Sequence, residues 1–451
     1  MYNISVSDAA RLCEGRLCGG DFEDRELNDI VIDSRAVQRG DLFAAFRGER
    51  TDGHDYIGRA FESGAACALA ERLPEGVTGP VILVPDMLSA LEKLCAAYRD
   101  TLTLPVVGIT GSVGKTSAKE MIWAVLSRRF NTLKTEGNLN NQIGVPMTVS
   151  RIAPEHQAAV VEMGISGFGE MRSLAKMTRP DVAVFTVIGH AHLEFLHDLE
   201  GVFRAKTELL EYMKDDGVVI VNGDDRLLRA LKCQQRKISC GLGEDCDVRA
   251  VNVETQGDGH TVCDIVYGGR TVHADIPAYG QHMVYAALEG AAAGFALGLE
   301  DEEIERGIAD YRTVGRRGAV TRTEYLTLVD DCYNANPDSM SCAVDSLVRL
   351  PGRHVCIFSD MLEMGGDSPR MHYDVGRYAA ENGVELILSC GEFGRELADG
   401  AGERGAFFES REAMVKALPQ LIRPGDTVLV KASRGVHLDE VSEALKELKP
   451  Q

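Results

Sequence analysis

The sequence predicts an α/β protein of three domains: a small α/β domain, a central phosphate-loop domain on a parallel sheet with a β insert, and a C-terminal Rossmann-like domain. Three observations predict it. The chain has 451 residues, too many for one hydrophobic core at roughly 150 residues per domain. Short apolar runs alternate with helix-like stretches, the pattern of a parallel sheet covered on both faces. One of those runs ends in a Gly-rich turn followed by a helix.

The first zone, residues 1–84, holds strand-like pieces at Asp29–Asp33 and Asp41–Ala45 and closes with Val81–Val84. The second, 85–313, opens with the helical pattern Met87–Arg99. Buried-strand runs follow at Val106–Thr110, Ala158–Met163, Asp181–Ile188 and Gly217–Asn222, with helical stretches such as Lys119–Ser127 and Leu199–Met213 between them. From Asp247 to Pro277 polar and apolar residues alternate around Gly268-Gly269, which predicts an antiparallel insert. Ala286–Leu299 predicts a small-residue helix packed closely on a neighbour. The third zone, 314–451, repeats the strand-helix alternation at Leu326–Asp331, His354–Ser359, Glu385–Ser389 and Thr427–Lys431.

Composition narrows the function. Lys and Arg number 48 against 69 Asp and Glu, a formal charge of −21. So acidic a chain is a poor non-specific partner for nucleic acid, which needs its phosphates neutralised. An anionic substrate must be held by local devices. The 12 cysteines are scattered without a CxxC pair, as expected of thiols in a reducing compartment. Met1–Leu12 carries Asp8 and no apolar run, so no signal peptide is expected. No apolar stretch approaches the ~20 residues of a membrane span. A cytoplasmic enzyme without membrane insertion is expected.

The Gly-rich turn is Thr110-Gly111-Ser112-Val113-Gly114-Lys115-Thr116, with Ser117 in the helix that follows. Glycines let backbone N–H groups approach phosphate oxygens, and the helix N-terminus adds a positive dipole end. The lysine reaches the outer phosphates and the threonine hydroxyl can hold Mg²⁺. Ile109 stands where the strict pattern has Gly. These residues predict a nucleoside triphosphate, and the lack of an Asn-Lys-x-Asp motif disfavours guanine. Glu162, at the end of an apolar strand, is placed as a Mg²⁺-side acid. His190 and His192 follow another strand; His-x-His can ligate a metal, but no third ligand has suitable spacing.

Taken in order, these motifs resemble the Mur ligase family, in its D-alanyl-D-alanine-adding branch. Besides the phosphate loop they include Asp33-Ser34-Arg35, Gly48 to His54, Asn138 to Pro146, Val161-Glu162-Met163-Gly164, Ala191-His192-Leu193-Glu194 and Arg204-Ala205-Lys206. The last zone adds Tyr333-Asn334-Ala335-Asn336-Pro337-Asp338-Ser339, Asp360 to Gly365 and Lys431-Ala432-Ser433-Arg434.

The resemblance implies domains for a UDP-sugar, for ATP and for an incoming amine, and an amide ligase working through an acyl phosphate. Its substrates would be UDP-N-acetylmuramoyl-tripeptide and D-alanyl-D-alanine, its cofactor Mg²⁺, and its state a monomer. It assigns catalysis to Lys115, Glu162, His192 and Lys206, the last as a carbamate, with Thr116, Glu162 and His192 on the metal. It places Asn138, His282, Arg316 and Asp331 on the nucleotide. Ser34, Arg35, Asp52, His54, Asn140 and Asn141 would face the UDP-substrate; Asn334, Asn336, Asp338, Lys431, Ser433 and Arg434 would shape the dipeptide side. One departure stands out: where the family has His-Asn-x-x-Asn near adenine, this chain has His282-Met283-Val284-Tyr285-Ala286. A sister ligase, a folylpolyglutamate synthase or a nucleotide-binding regulatory protein are the competing readings. The first zone and the Tyr-Asn-Ala-Asn-Pro run argue against the two other ligases, and substrate-dependent phosphate release would separate the regulatory protein.

Overall fold

A computed structural model describes residues 1–19, 23–48, 51–256, 260–278 and 280–449. Glu49 and Arg50 of the Gly48–His54 run lie outside them. Three sheets follow one another along the chain. The first has the spatial order Arg16–Cys18, Val81–Leu83, Cys67–Ala70, Leu42–Ala44, Ile30–Val31, parallel except for its first pair. The helix Met87–Asp100 leaves it, capped by Asp86, and buries Leu91, Leu94 and Tyr98 in a core that continues to Val106 and Val145.

The central sheet has nine strands. Thr132–Lys134, Ala158–Glu162, Val106–Thr110, Val182–Phe185, Val218–Asn222 and Arg236–Gly241 lie side by side and parallel. Their Val- and Ile-rich residues are buried because helices cover both faces. The Asp247–Pro277 segment is not a separate insert. Val248–Thr255 pairs parallel with Arg236–Gly241, and Thr261–Tyr267 and Arg270–Ile276 extend the same sheet antiparallel. The helix Lys115–Leu126 packs under Gln281–Ala296, where Gly290 and Gly294 let the two approach; a Cβ on Gly290 would meet Met121 Cγ at 2.9 Å.

That second helix also buries Glu289, 2 % exposed. Burial pushes its carboxyl up to about 8. The folded chain therefore holds a proton that the unfolded chain releases near 4.5, and stability falls as pH rises through that window. Glu289→Gln is expected to remove this slope. Urea unfolding at about pH 5 and about pH 8 checks it; equal slopes in both proteins contradict it.

The third sheet runs Ala319–Arg322, Thr327–Asp331, Thr427–Lys431, His354–Phe358, Leu386–Ser389, Gly405–Phe407, antiparallel only at its first pair. In both larger sheets the parallel strands end on one side, so their C-terminal loops gather there. All 12 cysteines are free. Among the described residues no helix is long and apolar enough to cross a membrane.

Candidate active site

Val106–Thr110 sits where the strand order of the central sheet reverses, parallel to Ala158–Glu162 on one side and to Val182–Phe185 on the other. Ile109 lies inside this strand, buried, outside the loop proper. Gly111 takes φ +155°, and a Cβ there would lie 1.9 Å from Thr186 Oγ1. Only glycine fits that approach. Thr186 Oγ1 donates to the Val113 carbonyl (2.5 Å), and Ser112 Oγ exchanges hydrogen bonds with the Gly189 backbone (both 2.9 Å). The Lys115 ammonium closes the loop on the Gly111 carbonyl at 2.7 Å. Thr110 Oγ1 is buried without a partner. Ser117 lies beside the Tyr311 hydroxyl.

Thr116 Oγ1 donates to Glu162 Oε2 (2.9 Å), and Asn140 Nδ2 donates to Glu162 Oε1 (2.8 Å). Lys119, buried one turn beyond Lys115, lies 3.7 Å from the same carboxylate. The i, i+4 spacing of two lysines on the phosphate-loop helix was the available signal for it. Burial lowers the Lys115 pKa; Glu162 opposes this and Arg317 reinforces it. Lys206, on the helix Leu199–Thr207, is buried and lies near Lys115. Desolvation drives its pKa far down, Lys115 adds to that, and no acidic side chain pairs with it among the described residues. A cluster of lysines thus surrounds the loop in an otherwise acidic protein.

Several expected residues are engaged elsewhere. Asn141 Oδ1 accepts the Ile143 and Gly144 N–H groups at the start of a short helix, and Asn138 is exposed. His54 uses both ring nitrogens, Nδ1 with Asp52 (2.6 Å) and Nε2 accepting from Glu71 N (3.1 Å), so it holds a turn. Ser34 is buried and Arg35 forks onto Asp33. Arg316 is held by Asp330 (3.1 Å) and Glu443 (2.9 Å) within the third domain. Its neighbour Arg317 instead stacks on Tyr333 at 3.7 Å and faces Lys115.

The third domain closes over this loop cluster. Asp331 and Lys431 are register partners on adjacent strands, which brings Lys431 Nζ to 2.5 Å from Asp331 Oδ2 and 2.9 Å from the Asn334 carbonyl. Asn336 caps the helix Pro337–Leu347 in a box with Ser339, and Asn334 Oδ1 accepts the Ala335 N–H. Asp338 reaches across to the second domain, accepting from His190 N (2.5 Å) and contacting His190 Nδ1 (3.1 Å). His192 Nδ1 meets the Glu363 carboxylate, likewise across the junction, rather than the Thr116–Glu162 pair. Ser433 Oγ accepts from Leu362 N at 3.0 Å, and Arg434 lies 5.5 Å from the Tyr333 ring. His282 is half-buried at the same junction, its Nδ1 atom buried and unpartnered; burial lowers its pKa, with Asp331 opposing and Lys431 assisting. Among the described residues no three His, Cys, Asp or Glu side chains converge as a metal cage.

Fold and site define a phosphate-loop α/β protein whose loop cluster faces a Rossmann-like domain. Family models match it in three stretches: the Mur ligase family catalytic domain at residues 26–99, the Mur ligase middle domain at 109–294, and the Mur ligase glutamate ligase domain at 315–434. The UDP-N-acetylmuramoyl-tripeptide–D-alanyl-D-alanine ligase of Bacillus subtilis is 34% identical, over 99% of each chain. The solved MurF structure from Acinetobacter baumannii superposes with a TM-score of 0.92 at 31% identity, covering 99% of both chains. MurF ligase from Thermotoga maritima, in complex with ADP, gives 0.83 at 27% identity over 93% of this chain and 97% of that one. The chain belongs to the Mur ligase family.

Proposed function

We propose that the protein joins D-alanyl-D-alanine to UDP-N-acetylmuramoyl-tripeptide at the expense of ATP, with residues 1–84 holding the UDP part, 85–313 the ATP, and 314–451 the amine. Full-length similarity to ligases of that name supports the substrates. The observation that carries the chemistry is the cluster of buried Lys206, Thr116 and Glu162 with half-buried Lys115 at a phosphate cradle facing the third domain. A carboxylate is a poor electrophile. Its oxygen attacks the γ-phosphorus, ADP leaves, and the acyl phosphate forms. The dipeptide's neutral amine then attacks the acyl carbon, the C–O bond breaks, phosphate leaves, and the amine loses a proton. Lys115 stabilises charge on the phosphoryl group while it moves, and the loop N–H groups orient it.

The residues fit a divalent cation and a carbamate. Mg²⁺ takes one or two carboxylates and fills its shell with phosphate oxygens and water, so no three-carboxylate cage is needed. Thr116 and Glu162 would hold one Mg²⁺ and His192 would serve a second, neutralising phosphate charge when bound. Lys206 has the properties carbamylation requires: a buried amine pushed toward its neutral form. The amine adds to CO₂ and loses a proton, and the anion would lie beside Lys115. Met283 and Ala286 stand where the family has amide side chains near adenine; of the polar residues of that helical run, Tyr285 donates to Asp224 (2.9 Å), while His282 keeps Nδ1 unpartnered. A cytoplasmic monomer fits this reading.

A phosphate-side role is proposed for Arg317 beside Arg316, because it stacks on Tyr333 at 3.7 Å and its charge acts on Lys115, whereas Arg316 is engaged by Asp330 and Glu443. Arg317→Ala is expected to lower kcat/KM for ATP by about 10–100-fold, the scale of one charged hydrogen bond. Arg316→Ala should mainly lower the melting temperature. Steady-state kinetics with ATP varied checks this; the reverse ranking contradicts it.

The test of the function is phosphate release with ATP, Mg²⁺ and the UDP-tripeptide, with and without D-alanyl-D-alanine. Release requiring both substrates, with the pentapeptide product seen by mass, is expected. Release independent of either, or nucleotide binding with no release, contradicts it.

A further inference from the structure

The loop after Val182–Phe185 and the loop after His354–Phe358 meet across the domain junction at two unusual residues. His192 takes φ +54° and Glu363 φ +62°, both in the left-handed region that side chains other than glycine seldom adopt. They face each other: the Glu363 carboxylate engages His192 Nδ1, and Glu194 N donates to the Glu363 carbonyl at 3.4 Å. Gly365 backs onto Glu194; a Cβ there would lie 3.5 Å from Glu194 Cα. Such paired backbone strain persists where surrounding contacts impose it, and it concentrates at functional sites.

The chemistry of the pair has a direction. A carboxylate on Nδ1 keeps the proton there and leaves the Nε2 lone pair free, the arrangement that orients metal-ligating imidazoles. No hydrogen bond to His192 Nε2 occurs among the described residues. The carboxylate comes from the other domain, and its loop is tied to the Lys431–Arg434 loop: Ser433 Oγ accepts from Leu362 N (3.0 Å), and Ser433 N donates to the Asp360 carbonyl (3.1 Å). The amine side of the molecule thus reaches the His192 imidazole through a short covalent and hydrogen-bonded path.

We propose that Glu363 is a positioning residue for His192. Delivered by the third domain, it fixes the imidazole with Nε2 free for the second divalent cation that the ligase reading assigns to His192, and that ligand is held in place only when the domain is closed. The proposal rests on the ligase reading above. It makes metal loading a report of domain closure: activation of the carboxylate waits until the amine-binding domain is in place.

Mn²⁺ serves as the probe. Full-length wild type, Glu363→Ala, Glu363→Gln and His192→Ala are titrated with Mn²⁺ in the presence of a non-hydrolysable ATP analogue and the UDP-tripeptide. Electron paramagnetic resonance counts bound ions, and spin-echo nitrogen modulation detects a coordinated imidazole. Expected are imidazole modulation in wild type, its loss in His192→Ala, and a second Mn²⁺ weakened by about 10–100-fold in Glu363→Ala. Glu363→Gln, whose amide oxygen still accepts from Nδ1–H, should recover much of that loss. Melting temperatures and metal-free analogue affinity should match wild type. Wild-type Mn²⁺ affinity and modulation in Glu363→Ala overturn the proposal, as does wild type without imidazole modulation. Pentapeptide synthesis by the wild-type sample separates the two readings: synthesis with unaltered Mn²⁺ binding in the variant sinks the role of Glu363 alone, whereas no synthesis sinks the ligase reading too.

Discussion

Lys206→Ala should lower pentapeptide synthesis by about 10²–10³-fold, and small carboxylic acids such as acetate or formate should restore part of it. The expectation follows from where the side chain lies. Lys206 is 1 % exposed, has no acidic partner among the described residues, and shares its surroundings with the Lys115 ammonium. Burial and a like charge both disfavour a second cation and shift Lys206 toward its neutral amine, the form that adds to CO₂. The carbamate turns an unfavourable cation pair into an anion beside a cation. Removing the side chain leaves a slot shaped for a carboxylate, which added acid can fill. Substitution by alanine with no rescue across a range of acids and concentrations would mean that Lys206 acts as an ammonium.

Lys115→Ala should lower kcat by about 10³-fold or more, comparable to other cations placed on a transferring phosphoryl group. Nζ is held 2.7 Å from the Gly111 carbonyl and 3.4 Å from that of Ser112, inside the loop that will carry the phosphates. A cation there needs no reorganisation when charge develops. Lys115→Arg should not rescue, because a planar guanidinium cannot occupy a position built for a compact ammonium. The KM for D-alanyl-D-alanine should change little. Steady-state phosphate release measures both constants; a variant whose loss falls mainly on dipeptide KM contradicts the assignment.

Much of this was legible in the sequence, for a physical reason. The phosphate loop is local: glycine conformation, helix start and lysine reach are all decided within a few residues. Thr116 and Glu162 follow from the parallel sheet, because adjacent strands end at one level. Residues with two possible uses were not legible. Asn336 and Asn141 look like ligands but satisfy helix N-termini, and His54 looks like a ligand but has both nitrogens occupied. Arg316 and Arg317 are adjacent, and only tertiary structure shows which one Asp330 and Glu443 hold. The His192–Glu363 pair spans 171 positions in the chain and two domains, and no periodicity encodes such a contact. The strand Val248–Thr255 alternates like a separate insert because the sheet it joins is covered on one side there and open on the other.

The central claim is that the loop activates the tripeptide carboxylate, rather than water, toward the γ-phosphate. The direct measurement uses UDP-N-acetylmuramoyl-tripeptide with both oxygens of its terminal carboxylate replaced by ¹⁸O. After turnover with ATP, Mg²⁺ and D-alanyl-D-alanine, the account predicts that each released phosphate carries a single ¹⁸O, taken when the carboxylate attacked phosphorus and kept when the amine broke the acyl bond. Unlabelled phosphate formed in step with the pentapeptide would contradict it.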